Sequence, residues 1–76
     1  MKELVKYIAR ALVDNPEAVE VSEIEGEHSV VLELRVAKDD MGRVIGKEGL
    51  TVTAIRTVLH AASRTVKKNA ILEIIE

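Results

Sequence analysis

The sequence predicts an α+β domain in the order αββααβ, with a three-stranded sheet packed against helices. Three observations predict it. Apolar residues recur at helical spacing near the start of the chain and stop at Asn15-Pro16. Val30, Leu32, Leu34 and Val36 then occupy every second position, the period of a half-buried strand. Two glycines three apart, Gly46 and Gly49, separate two further helical runs.

The first helix carries Leu4, Val5, Ile8 and Leu12 on one face and Lys2, Lys6 and Arg10 on the other, a face that could meet a phosphate backbone but is expected to be a solvated one. Val19 to Glu25 reads as a strand in which Val19 and Val21 alternate with Glu20 and Ser22. Its phase breaks at Ile24, so either a bulge lies there or the strand ends early. Glu25-Gly26-Glu27-His28 is a turn, and Val30 to Val36 is the second strand of an antiparallel hairpin. Asp39 or Asp40 caps a short helix through about Ile45. A longer helix runs from about Leu50 to Lys67, with Ile55, Leu59, Ala62 and Val66 on one face. Its basic end, Arg64, Lys67 and Lys68, suits the negative pole of the helix dipole. Ala70 to Ile75 closes the sheet.

Composition removes several classes of function. At 76 residues, 47% hydrophobic and 32% charged with a net charge of −2, the chain is expected to be one globular domain over residues 1–76. A core this small calls for modest stability or help from self-association. There is no cysteine, hence no disulfide, thiol or Cys-zinc chemistry. No apolar run exceeds three residues, too short for a membrane span or a secretory signal, so a cytoplasmic location is expected. Tyr7 is the only aromatic residue, which excludes stacking of bases or sugars on several rings. The charge is uneven: residues 1–34 hold three Lys/Arg against eight Asp/Glu, and residues 35–68 hold eight against three. A local positive field can serve a polyanion despite the acidic total, although charge blocks also arise on ordinary solvated faces.

Gly46-Lys47-Glu48-Gly49 is the most informative stretch. Without side chains on the glycines a ligand backbone can come close. The N–H groups opening the second helix favour an anion, and Lys47 adds a mobile positive charge. A tight helix–helix turn would need the same glycines. The context, Val44-Ile45-Gly46-Lys47-Glu48-Gly49 with a hairpin before it and an amphipathic helix and strand after it, resembles a KH domain of the type II, αββααβ form. The opening MKELVKYIARALVDNPEAVEV and the middle VVLELRVAKDDMGRVIGKEG resemble the KhpA (YlqC-type) family of small bacterial KH proteins over essentially the whole chain.

That resemblance implies a KH signature over about residues 29–76. It also implies a single-stranded RNA-binding protein, an RNA chaperone or post-transcriptional regulator, whose GxxG loop clamps the RNA backbone. It implies pairing with itself or with a larger KH partner of the KhpB (Jag) type, and a link to cell elongation and envelope homeostasis. The expected RNA-binding residues are Gly46, Lys47, Glu48, Gly49, Arg43, Val44 and Ile45, with Arg35 and Arg56 flanking. Met41 and Val36 are further candidates to line an aliphatic groove for bases. Relatives often carry an uncharged or basic residue where Glu48 stands and a basic residue where Leu50 stands. The loop here is zwitterionic: Glu48 either satisfies the dipole of the following helix or competes with phosphate for its N–H groups, and weak, mostly backbone-directed binding is expected.

The long helix has more apolar surface than one core face needs. Leu50, Val52, Ala54, Val58 and Ala61 form a second face. It either meets a partner helix, with Val58, Ala61 and Ala54 at the interface, or is sandwiched within the domain. His60 and Ser63, one turn apart, lack the setting of a nucleophile and base, and His28 with Asp39 and Asp40 lacks metal-ligand spacing. No catalytic residue, cofactor, metal or small-molecule substrate is expected.

Overall fold

The computed structural model describes residues 1–75; Glu76, the last residue of the expected domain, lies outside them. Helix α1, Lys2–Leu12, buries Val5 and Ala9, with Leu4, Ile8 and Leu12 packed at the edge of the core. The helix ends where Val13 turns extended, and Pro16 opens a short 3₁₀ turn, Pro16–Ala18, where its missing N–H is not needed. Strands β1, Glu20–Glu25, and β2, Ser29–Arg35, pair antiparallel, with Val21 opposite Leu34 and Glu25 opposite Val30.

Helices α2, Met41–Ile45, and α3, Leu50–Val66, make the crossover that a parallel strand requires. Strand β3, Asn69–Ile75, then lies parallel to β2 with Leu32 beside Leu72, so the sheet order is β1-β2-β3 with β2 central. One core joins the sheet's inner face to the helices: Val30, Leu32, Leu34 and Leu72 meet Val5, Ala9, Val44, Val52, Ile55 and Leu59. The expected α+β fold with αββααβ order is what the chain adopts.

Three local expectations are corrected. The strand around Ile24 neither bulges nor ends early, because pairing continues one-to-one to Glu25. Ile24 instead points to the outer face, in a row with Val31 and Ile71 across the three strands. The inner positions Glu23 and Glu25 stay exposed, and Glu25 pairs with Lys68 at that corner. Val66 is 49% exposed, so the core face of α3 ends near Ser63, while Val52 belongs to the core rather than to the outer face.

The third correction concerns Asp39 and Asp40. Neither side chain caps a helix. The Asp40 carboxylate is 1% exposed and turns away from α2 toward the chain leaving α1. It accepts the backbone N–H of Asp14 at 3.1 Å and of Asn15 at 3.0 Å, and the Asn15 side-chain amide at 3.3 Å. Arg43 bridges the same corner, with Nη2 3.1 Å from Asp14 and Nε 3.9 Å from Asp40. The Asp14 N–H above all, then the Asn15 donors and Arg43, hold the Asp40 carboxyl below its ordinary value of 3.8 against the opposing effect of burial.

A carboxylate with a depressed folded pKa stabilises fully above its unfolded pKa, and the contribution is lost as pH falls through the folded value. Asp40→Ala removes the charged acceptor of the Asp14 and Asn15 N–H groups and is expected to lower the melting temperature by roughly 5–10 °C. Melting curves run from about pH 6 down to about pH 3 should show the gap between parent and variant closing, because protonation disables the same acceptor.

Candidate nucleic-acid interface

Residues 46–49 connect α2 to α3, and their backbone is unusual at three of four positions. Gly46 has φ 77 and ψ 168, Glu48 has φ 57 and ψ 23, and Gly49 has φ 74 and ψ 13. The N–H of Gly49 closes on the carbonyl of Gly46 at 3.1 Å, and that of Leu50 on Lys47. This leaves the N–H groups of Lys47 and Glu48, the first two of the turn, without a partner in it. Two successive free donors, the second on the left-handed Glu48, suit an anion. Lys47 is exposed and has no carboxylate partner among the described residues.

The two glycines have different reasons to be glycine. A Cβ on Gly46 would stand 2.2 Å from Thr51 Oγ1 and 2.8 Å from the Thr51 backbone nitrogen, so the start of α3 packs onto that backbone. A Cβ on Gly49 would meet nothing within 4 Å. Its conformation alone selects glycine.

Around the turn, the expected contact residues separate. Ile45, just before it, and Leu50, just after it, are 37% and 66% exposed and flank the turn with aliphatic surface. Val44 is fully buried and Val36 nearly so, both in the core, and Met41 is half-buried against it. Arg43 is half-exposed, its guanidinium shared between Asp14 and Asp40. Arg35 lies on the outer face of the sheet among Glu20, Ser22 and Glu33, and the structure does not bring it to the turn. Arg56, one face of α3 further along, donates from Nη2 to the Leu72 carbonyl at 3.2 Å, at the free edge of β3.

A groove of about 410 Å³ follows this edge, lined by Arg56, His60, Asn69, Ala70, Ile71 and Leu72. His60 and the β3 edge were not among the residues expected from sequence. The signal was the i, i+4 spacing of Arg56 and His60, which puts both on one stripe of α3. Ser63, buried below, donates its hydroxyl to the His60 carbonyl at 2.8 Å, a local backbone bond that does not involve the imidazole. A larger concavity of about 470 Å³ lies along Glu3, Lys6, Tyr7, Arg10 and Ala11. It is a facet between side chains of α1 alone.

An antiparallel β1–β2 hairpin, a two-helix crossover with a glycine-flanked turn, and a parallel third strand make a KH domain of the type II form. The family described as "KhpA/KhpB, KH domain" matches residues 2–74 of the chain. Proteins named RNA-binding protein KhpA are similar throughout. That of Caldanaerobacter subterraneus subsp. tengcongensis is 60% identical across 99% of this chain and all of its own. That of Clostridium perfringens is 55% identical with the same coverage, and that of Aquifex aeolicus 49% identical across all of this chain and 96% of its own. No solved structure gives a significant match. The chain belongs to the KhpA/KhpB KH-domain family.

The glycine asymmetry gives a measurable contrast. Gly46→Ala meets both a forbidden conformation and the backbone of Thr51 and is expected to destabilise by more than about 3 kcal/mol. Gly49→Ala is expected to cost about 1–2 kcal/mol, since only the left-handed conformation opposes it. Urea unfolding of the two variants should separate them clearly.

Proposed function

We propose that the chain is a non-enzymatic, single-stranded RNA-binding protein that acts as one KH module. The phosphate backbone lies against the Lys47 and Glu48 N–H groups and the Lys47 ammonium. Bases lie on Ile45 and Leu50 and along the β3 edge beside Arg56. The observation that carries this is the turn itself: it combines positive φ at Gly46, Glu48 and Gly49 with two N–H groups it does not use and a lysine without an ion-pair partner among the described residues. The relatives' shared name, RNA-binding protein KhpA, supports the same ligand. In the cytoplasm such a protein serves as an RNA chaperone or post-transcriptional regulator, alone or with a KhpB (Jag)-type partner in cell elongation and envelope homeostasis.

Glu48 sets the strength. Its negative charge, next in sequence to Lys47, opposes a phosphate at the same donors. Binding should therefore be weak and fall steeply with salt. Lys47→Asp combined with Glu48→Asp keeps the fold, since Asp tolerates the left-handed conformation at position 48. A salt series by fluorescence anisotropy should show the double variant binding single-stranded RNA at least about tenfold more weakly than the parent. Equal binding by the two proteins would remove the turn as the site.

A second surface supports a second activity. Leu50, Ala54, Val58 and Ala61 are exposed on one face of α3, with Val58 43% and Leu50 66% exposed. Small and aliphatic residues in this register suit a partner helix, a second copy or a KhpB-type protein. Val58→Asp removes no core contact, so the melting temperature of the monomer should hardly change. Light scattering of the parent should give a dimer mass, and the variant a monomer mass. A parent that is strictly monomeric and binds RNA tightly alone would remove this surface as an interface.

A further inference from the structure

Beyond Arg56, the far end of α3 carries a second concentration of positive charge, Arg64, Lys67 and Lys68, that the turn at 46–49 does not use. Arg56, His60 and Arg64 follow one another at i, i+4 and i+8, rising about 6 Å per step along the helix. Beyond them a cavity of about 380 Å³ is lined by His28, Ser63, Arg64, Lys67, Lys68 and Asn69. Asn69 also lines the groove beside Arg56 and His60, so the two depressions share a wall and run on along the start of β3.

Not all of this charge is available. Lys68 is committed to Glu25. Arg64 and Lys67 have no carboxylate within ion-pair distance among the described residues. Lys67 also holds φ 56, ψ 38 at the end of α3, a left-handed position where glycine is the unstrained residue. A lysine there keeps a cation at the mouth of the cavity at the expense of backbone strain.

On the premise that RNA is gripped at residues 46–49, we propose that Arg64 and Lys67 form a second phosphate-binding subsite. The strand leaves the turn, follows the α3–β3 edge past Arg56 and His60, and is held again at the opposite end of the helix. The span is about 25 Å, the length of a 17-residue helix, so the contacted segment is longer than the four nucleotides a GxxG loop clamps. The cations also offset the helix dipole, but that role has no dependence on RNA length.

The test uses the full chain, with Arg64→Gln and Lys67→Gly combined, and oligouridylates of four and of ten nucleotides. The parent should bind the ten-mer more tightly than the four-mer. The double variant should bind the four-mer like the parent and lose roughly tenfold on the ten-mer at low salt. Its salt slope on the ten-mer should be shallower by about 1.4, the value for two lost single-strand phosphate contacts. Lys67→Gly alone should weaken ten-mer binding while leaving the melting temperature unchanged or raised, a combination that a structural role for Lys67 does not produce. Lys2→Gln with Lys6→Gln on α1 removes the same charge elsewhere and should leave both oligomers unaffected.

The subsite is overturned if the Arg64/Lys67 variant keeps the parent's gain with length, or if the α1 control loses as much. It is also overturned if tightened ten-mer binding appears only for an oligomer carrying several separate four-nucleotide sites. A parent that binds neither oligomer removes RNA binding at the turn together with the subsite. A parent that binds both, with an unaltered variant, removes the subsite alone.

Discussion

The Asp40 carboxylate is the constraint on which the rest of the structure turns. Helix α2 has only five residues and no side-chain cap, far too few to hold a helix by its own hydrogen bonds. Two anchors define its direction: Val44, fully buried in the core, and Asp40 just before its first turn. Asp40 ties that start to the Asp14 and Asn15 N–H groups, donors that Pro16 and the end of α1 leave without helical partners. Arg43 then spans from Asp14 to Asp40 across the joint. Since α2 ends at Ile45, whatever fixes its axis fixes where Gly46 begins. A polar cluster at one end of a short helix thereby sets the geometry of the turn at the other.

This dependence explains which parts of the molecule were legible in the sequence. Strand β2 was plain because its alternation is also its burial: Val30, Leu32 and Leu34 all face the core. Helices α1 and α3 were plain because their stripes persist for several turns. Strand β1 misled at Ile24 because it is an edge strand that the helices only partly cover. Only Val21 along it is buried, so the outward Ile24 and inward Glu25 invert the usual polarity. Asp40 misled for a related reason. A short polar residue before a helix is read as a cap, and no local pattern shows that its partners lie 25 and 26 residues earlier. The candidate site divides in the same way. The glycines and Lys47 could be read directly, since their conformation and charge are local properties. That Arg35 falls on the far face of the sheet, and that His60 joins Arg56 at the β3 edge, follows only from how the strands stack.

Helix α3 serves three different neighbours with three of its faces. Val52, Ile55, Leu59 and Ser63 face the core, Arg56, His60 and Arg64 flank β3, and Leu50, Ala54, Val58 and Ala61 face outward. The missing aromatic residues give this division its meaning. With Tyr7 on α1 the only aromatic ring, bases at this edge would gain only from aliphatic surface and strand-edge polar groups, and each contact would be weak. Binding strength then has to come from number of contacts or from pairing of sites. In the proposed function, the basic flank of α3 would supply the first and its outward apolar face the second. Both occur on the same 17-residue helix without overlap.

Backbone strain marks the two ends of this helix. Outside glycine, positive φ occurs only at Glu48 and Lys67 among the described residues, one just before α3 and one just after it. Each is a position where glycine or asparagine would relax the chain, and each instead carries a charged side chain of the kind that decides how phosphate is received. Glu48 puts a negative charge in the turn before the helix, while Lys67 extends positive charge beyond it. A chain selected for tight binding at one point would reverse the first. A chain selected for stability alone would replace the second. Under the proposed function, the pairing of a restrained grip with a distant basic end would suit RNA held loosely along its length and released.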